Sequence, residues 1–120
     1  MALYETIFII RQDVSSADVD KITEEFSALL EKNGAKILKT EYWGLRNLAY
    51  DINNNKKGHY VLFGLDSKAE PIAELERKMK YSEDIIRCLT LKVDSITQEP
   101  SAILRGKVEG FDDTIDVTIG

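Results

Sequence analysis

The sequence predicts an α+β sandwich, one four-stranded antiparallel sheet with two helices on one face. Three observations lead there. Short runs of β-branched and aromatic residues alternate with two segments of helical apolar spacing, in the order β-α-β-β-α-β. The second and third strand runs are joined by a polar stretch alone, which makes them a hairpin. At 120 residues the chain is long enough to bury one core without a disulfide or metal, and too short for two ordinary domains.

The first strand runs from Leu3 to Arg11, with Tyr4, Thr6, Phe8 and Ile10 on one side and Ile7 and Ile9 on the other. Both sides are apolar, whereas a small antiparallel sheet ordinarily keeps one wet face, so a cover over the second face is expected. Ser15 with Asp18 three residues on has the form of a capping box. The helix it opens places Val19, Ile22, Phe26, Leu29 and Leu30 on one stripe, and Asn33-Gly34 ends it. Ala35 to Ile52 is the second strand, with Gly44 marking a bulge. Asn53 to Gly58 is a polar turn, and His59 to Leu65 returns with Val61, Phe63 and Leu65 facing one way and Tyr60 and Leu62 the other.

Lys68 to Tyr81 is the second helix, with Pro71 in its first turn and Ile72, Leu75 and Met79 as its buried stripe. Ile85 to Val93 is the last strand, where Cys88 and Thr90 alternate with Leu89, Leu91 and Val93. This order is the ferredoxin-like one, and the predicted domain is 1–94. Residues 95–120 hold five acids (Glu99, Glu109, Asp112, Asp113, Asp116) against Arg105 and Lys107, a net of −3. A flexible acidic tail is the preferred reading there. Ile115, Val117 and Ile119 alternate with polar residues and would form a strand if an edge accepted them.

Composition removes several function classes. The net charge of −5 does not suit a protein that holds nucleic acid by bulk charge, so any RNA contact has to come from a local basic cluster. One cysteine allows no internal disulfide and fits a reducing compartment. The longest apolar run, Ile7 to Ile10, is far too short to span a bilayer, and the first residues have no signal-peptide pattern. A cytoplasmic protein with no membrane partner is expected.

Catalysis finds no constellation. His59 is the only histidine, which excludes sites built from several imidazoles. It reads as a solvated strand-end residue or an RNA contact rather than a base. Cys88 lies within a strand, where a thiol is normally a small inert hydrophobe. No glycine-rich phosphate loop occurs, and Arg11-Gln12-Asp13 lacks the phosphate cradle of acylphosphatases, small enzymes of the same topology. Lys57-Gly58-His59-Tyr60-Val61 matches the third-strand signature of RNA-recognition motifs only loosely. No catalytic residue, metal or cofactor is expected.

The hairpin is more informative. Residues 43–53 combine Trp43, Gly44, Arg46 and Tyr50 on one ribbon. Arginine can fork onto a phosphate or stack on a base, and tyrosine offers a π-face. The same aromatics could simply pack the sheet. Gly44, Arg46, Asn47, Leu48, Ala49, Tyr50 and Ile52 resemble the signature of the bacterial small-subunit ribosomal protein six family. Asn47 stands where most members have a second basic residue. Tyr4-Glu5, Lys57-Gly58-His59-Tyr60 and Ile85-Ile86-Arg87 with Lys92 extend the resemblance over residues 1–100.

The resemblance implies a non-catalytic protein, ribosome-bound in the cytoplasm. It implies binding to the central domain of small-subunit ribosomal RNA jointly with small-subunit ribosomal protein eighteen, a small basic protein, during assembly of the platform. Such a partner would supply the positive charge this chain lacks and cover part of the second sheet face. Strand position and chemistry nominate Tyr4, Arg46, Arg87 and Lys92 for RNA. Ile7, Ile9, Trp43, Tyr60, Leu62, Leu89 and Leu91 are nominated for protein contact, although each could lie under a folded-over hairpin or the C-terminal tail. The chain is expected to be a monomer in isolation. The competing reading is a ferredoxin-like regulatory or homo-oligomerisation domain that closes the same face with a second copy.

Overall fold

The structure is a computed structural model that describes residues 2–52 and 54–96. Six elements follow in the expected order: β1 (Ala2–Arg11), α1 (Ser16–Lys32), β2 (Lys36–Ile52), β3 (Asn55–Ser67), α2 (Ala69–Lys80) and β4 (Ile85–Val93). The strands form one antiparallel sheet in the order β2-β3-β1-β4. The first strand of the sequence is therefore interior, paired along its length with β3 and β4. The expectations for the acidic end, including a strand at residues 115–119, lie outside the described residues from residue 97 onward.

Local chemistry sets the element ends. Ser15 Oγ accepts from the Asp18 backbone N–H at 3.2 Å and fills one of the donors left open at the start of α1. Past the end of α1, Gly34 has φ +92°, a left-handed stop that glycine adopts without a Cβ penalty. The bulge expected at Gly44 is present: its φ is +89°, and the β2–β3 register slips between Tyr42 and Gly44.

Both helices lie on the β1 face that carries Phe8 and Ile10. Val19, Phe26 and Leu30 of α1 and Ile72, Leu75 and Met79 of α2 meet Phe8, Ile10, Val61, Phe63 and Leu65 in one core. Phe8 is its centre, edge-on to Phe26 (ring centroids 5.8 Å apart) and tilted against Phe63 (5.3 Å). Burial of each such side chain contributes roughly 1.5–3 kcal/mol.

Two expectations are corrected. The returning strand begins at Asn55 rather than His59, because amide side chains hold the backbone of the polar stretch in the ladder. Gln12 Oε1 accepts from the backbone N–H of Lys56 (3.2 Å) and Lys57 (3.1 Å). Asn55 Oδ1 accepts from the Gln12 N–H at 3.0 Å, and Asn55 Nδ2 donates to the Ile52 carbonyl at 3.2 Å. The tip turns through Asn54 at φ +66°. The second correction is His59, which is buried and not solvated. Its Nε2 donates to the Val14 carbonyl (2.8 Å), so its Nδ1 accepts from the Tyr42 hydroxyl (2.8 Å). The only histidine is a strut tying β2 and β3 to the loop after β1.

Candidate nucleic-acid and partner interface

The face of the sheet opposite the helices holds a second cluster: Ile7, Ile9, Trp43, Tyr60 and Leu62, all no more than 5% exposed. The Gly44 bulge inserts Trp43 into it, where the indole lies nearly parallel to the Tyr60 ring, centroids 6.3 Å apart. Leu48 and Ile86 pack at its rim. A register shift between Ile9 and Ile10 leaves Ile86 out of the pairing and sets Ile85 opposite Ile10, so that Ile85 packs in the helix-side core and Ile86 here.

Beside the apolar cluster runs a polar strip. Glu41 accepts from Trp43 Nε1 at 2.8 Å and pairs with Lys39 Nζ at 3.0 Å. The Lys39 and Glu41 side chains are only 8% and 13% exposed, a degree of closure unusual for an ion pair on an outer sheet face. The chain leaving β4 also reaches this face. Ile96 lies over Gly64 of β3, so close that a Cβ on that glycine would come within 3.0 Å of Ile96 Cγ2.

The hairpin end carries the basic residues. Arg46 sits opposite Gly58 on β3 and donates from Nε to the Trp43 carbonyl at 2.9 Å. Lys56 and Lys57 continue β3 towards the tip and are exposed. Arg87 of β4 donates from Nη2 to the Tyr50 hydroxyl at 3.2 Å, tying the β2 end of the hairpin to the opposite sheet edge. Tyr50 remains 47% exposed. Among the described residues none of Arg46, Lys56, Lys57 and Arg87 makes an ion pair, whereas Arg11 is held by Asp13 and Asp84. Side-chain hydrogen bonds to those two acids raise the Arg11 pKa further and commit it to the fold.

The four residues nominated for RNA thus divide into two groups. Arg46 and Arg87 belong to the hairpin end, joined through Tyr50. Tyr4 and Lys92 are cross-strand partners at the other end of the sheet, on the helix side, where Tyr4 leans on the core. Five residues along β4 separate Arg87 from Lys92, about 17 Å. Lys56 and Lys57 were missed in the sequence because they fell in a stretch read as turn. Of the seven residues nominated for protein contact, five form the buried cluster. Leu89 is half-buried opposite Ile7, and Leu91 is 38% exposed opposite Glu5.

Cys88 faces the helices beneath Met79 and Glu76. Burial, with a smaller contribution from the Glu76 charge, pushes its thiol up to about 12, so it stays protonated and unreactive at neutral pH. Among the described residues no group of three or more His, Cys, Asp or Glu side chains is placed to hold a metal ion, and no helix is long and apolar enough to cross a membrane.

Fold and surface together define a ferredoxin-like scaffold whose distinguishing parts are a basic hairpin end and a second, closed sheet face. The family model of ribosomal protein S6 matches residues 3–92. Small ribosomal subunit protein bS6 of Rickettsia felis is 56% identical over 119 residues, covering 99% of this chain and 98% of its own length. The bS6 protein of Rickettsia prowazekii is 55% identical over the same span. The crystal structure of 30S ribosomal protein S6 from Thermotoga maritima superposes with a TM-score of 0.73 at 28% identity, covering 77% of this chain and 87% of that one. This chain belongs to the ribosomal protein S6 family. It is accordingly a structural, non-enzymatic protein of the small ribosomal subunit, ribosome-bound in the cytoplasm.

Proposed function

We propose that this chain binds the central domain of small-subunit ribosomal RNA jointly with small-subunit ribosomal protein eighteen during assembly of the platform. The observation that carries the reading is the set of basic residues at the hairpin end, Arg46, Lys56, Lys57 and Arg87, which make no ion pair among the described residues and surround the exposed ring of Tyr50. Guanidinium and ammonium groups neutralise phosphates, and the ring offers a stacking surface. Tyr4 and Lys92 form a separate, smaller contact at the far end of the sheet.

Against a net charge of −5, these few cations hold RNA weakly alone, and a small basic partner supplies the remainder. The second sheet face, with Ile7, Ile9, Trp43, Tyr60 and Leu62 at its centre and Leu89 and Leu91 towards β4, is the surface for that partner. The isolated chain is a monomer on this reading.

Filter binding to a central-domain RNA fragment, with and without the basic partner, tests it. Tight binding only with the partner is expected. Arg46→Ala should weaken that binding across fragments and reduce the salt slope by about one, with folding unchanged. Equal affinity and slope would remove Arg46 from the interface. Absence of binding in both conditions would transfer the second face to self-association, visible as a dimer in sedimentation.

A further inference from the structure

We propose that Tyr50 serves the RNA contact through its hydroxyl, as the group that positions the Arg87 guanidinium, and that a wide bulge in β2 brings it there. Resting on the RNA contact proposed above, this role is distinct from the stacking surface of the Tyr50 ring. Asn47 of β2 pairs with Lys57 of β3 and Ile52 with Asn55, so four residues of β2, 48–51, face one residue of β3. Surplus residues bend the strand that carries them. The bend runs towards the face opposite the helices, because Leu48 packs at the rim of the cluster there, as Ile86 of β4 does.

Side chains of β4 lean in from the other edge. β2 and β4 are the outer strands, with β3 and β1 between them, about 14 Å apart at the usual spacing. A Cβ at Gly58 of β3 would strike Ile9 Cγ2 and come within 3.6 Å of Ile86 Cδ1, so the Ile86 side chain reaches across β1 to β3. Arg87 follows it and donates from Nη2 to the Tyr50 hydroxyl at 3.2 Å. Among the described residues Tyr50 is the only partner of the Arg87 side chain, and the bond takes one of five guanidinium N–H donors. The other donors stay open to a phosphate group.

The acceptor is what makes this a binding device. Arg11 is held by the carboxylates of Asp13 and Asp84, which cancel its charge. Arg87 is held by a phenol oxygen and Arg46 by the Trp43 carbonyl, both neutral. A neutral acceptor fixes the direction of a guanidinium and leaves its charge for a ligand. A long side chain ordinarily gives up rotamer freedom when it binds, and a guanidinium already in place has met that cost beforehand. The ligand this suits is the phosphate backbone of an RNA strand, met by Arg87 and Arg46 in fixed directions.

Tyr50→Phe in the full chain keeps the ring and removes the oxygen. With the basic partner present, its affinity for the central-domain RNA fragment should fall roughly three- to tenfold, the range of one ordinary hydrogen bond. Tyr50→Phe/Arg87→Ala should bind no more weakly than Arg87→Ala alone, because the hydroxyl acts only through the arginine. In nuclear magnetic resonance of the free, isotope-labelled chain, the Arg87 side-chain N–H should be ordered in the parent and mobile in Tyr50→Phe. Equal affinity of Tyr50→Phe and the parent would overturn the positioning role, and a loss then seen only in Tyr50→Ala would assign the contact to the ring. Losses that multiply in the double variant would also overturn it, since the hydroxyl would then meet RNA apart from Arg87. An Arg87 N–H equally mobile in parent and variant would do the same. Failure of the parent itself to bind RNA with the partner present would remove the proposed function, and the positioning role with it.

Discussion

On β3, Leu62 and Leu65 stand three residues apart and both are fully buried, yet Leu65 lies beneath two helices and Leu62 on the side away from them. The helix side is closed by regular elements whose stripes match the strand alternation, and the polar side chains buried there, Thr6 and His59 among them, are hydrogen-bonded. The other side is closed without a helix among the described residues. It tolerates a lysine, a glutamate and an indole N–H in its interior because each is paired. The difference teaches that polar groups are tolerated inside either face when each finds a partner, through hydrogen bonds on the helix side and through an ion pair on the other.

The comparison can be broken at the polar strip first. Glu41→Ala removes the carboxylate bonded to both the Lys39 ammonium and the Trp43 N–H and should cost more than about 1 kcal/mol in urea unfolding, a charge-assisted bond being worth about 1.5–3 kcal/mol. A cost under 1 kcal/mol would mean that the strip is wet. Next comes the leucine pair. Leu62→Ala and Leu65→Ala should each cost about 2–5 kcal/mol, equal within error, if both faces are closed alike. A much smaller value for Leu62 would show that its side opens readily.

On the helix side, Tyr42→Phe deletes the hydroxyl that donates to His59 Nδ1 and should cost about 1–3 kcal/mol, the penalty of a buried acceptor left unmade. The smallest effect is acid dependence. Arg11 holds the Asp13 carboxyl, and Arg77 the Glu74 carboxyl, below the ordinary carboxylate range, chiefly through side-chain hydrogen bonds. Both stabilise the fold above the unfolded-state carboxylate pKa, and that contribution is lost as pH falls through the lowered folded values. Both pairs are solvent-exposed, so Glu74→Gln should leave the unfolding midpoint at neutral pH nearly unchanged.

The helix side was legible in the sequence because two periodicities converge there: i, i+3, i+4 spacing in Val19, Phe26 and Leu30, and strict alternation in Phe8 and Ile10. The second face was legible only as a problem. Alternation showed that Ile7, Ile9, Tyr60 and Leu62 needed a cover but not its source, because the period of a strand says which side is apolar and not what packs on it. His59 and the Lys56–Lys57 run were misread for a related reason. Their placement depends on partners 44 or 45 residues away, Val14 and Gln12, and no local pattern encodes those. The basic surface was half legible. Arg46 and Arg87 were marked by strand position, but their common end of the sheet follows from Tyr50 reaching across.

The strand order has a consequence for how the protein is made. β1 is synthesised before its two neighbours, β3 and β4, so Leu3 meets Asp66 on one side and Val93 on the other only once each has emerged. Until then a ten-residue strand, apolar on both sides, waits with unpaired edges, and no early hairpin can shelter it. Folding of the sheet is therefore a late event in synthesis, and nascent chains of this protein are exposed to aggregation for most of their translation.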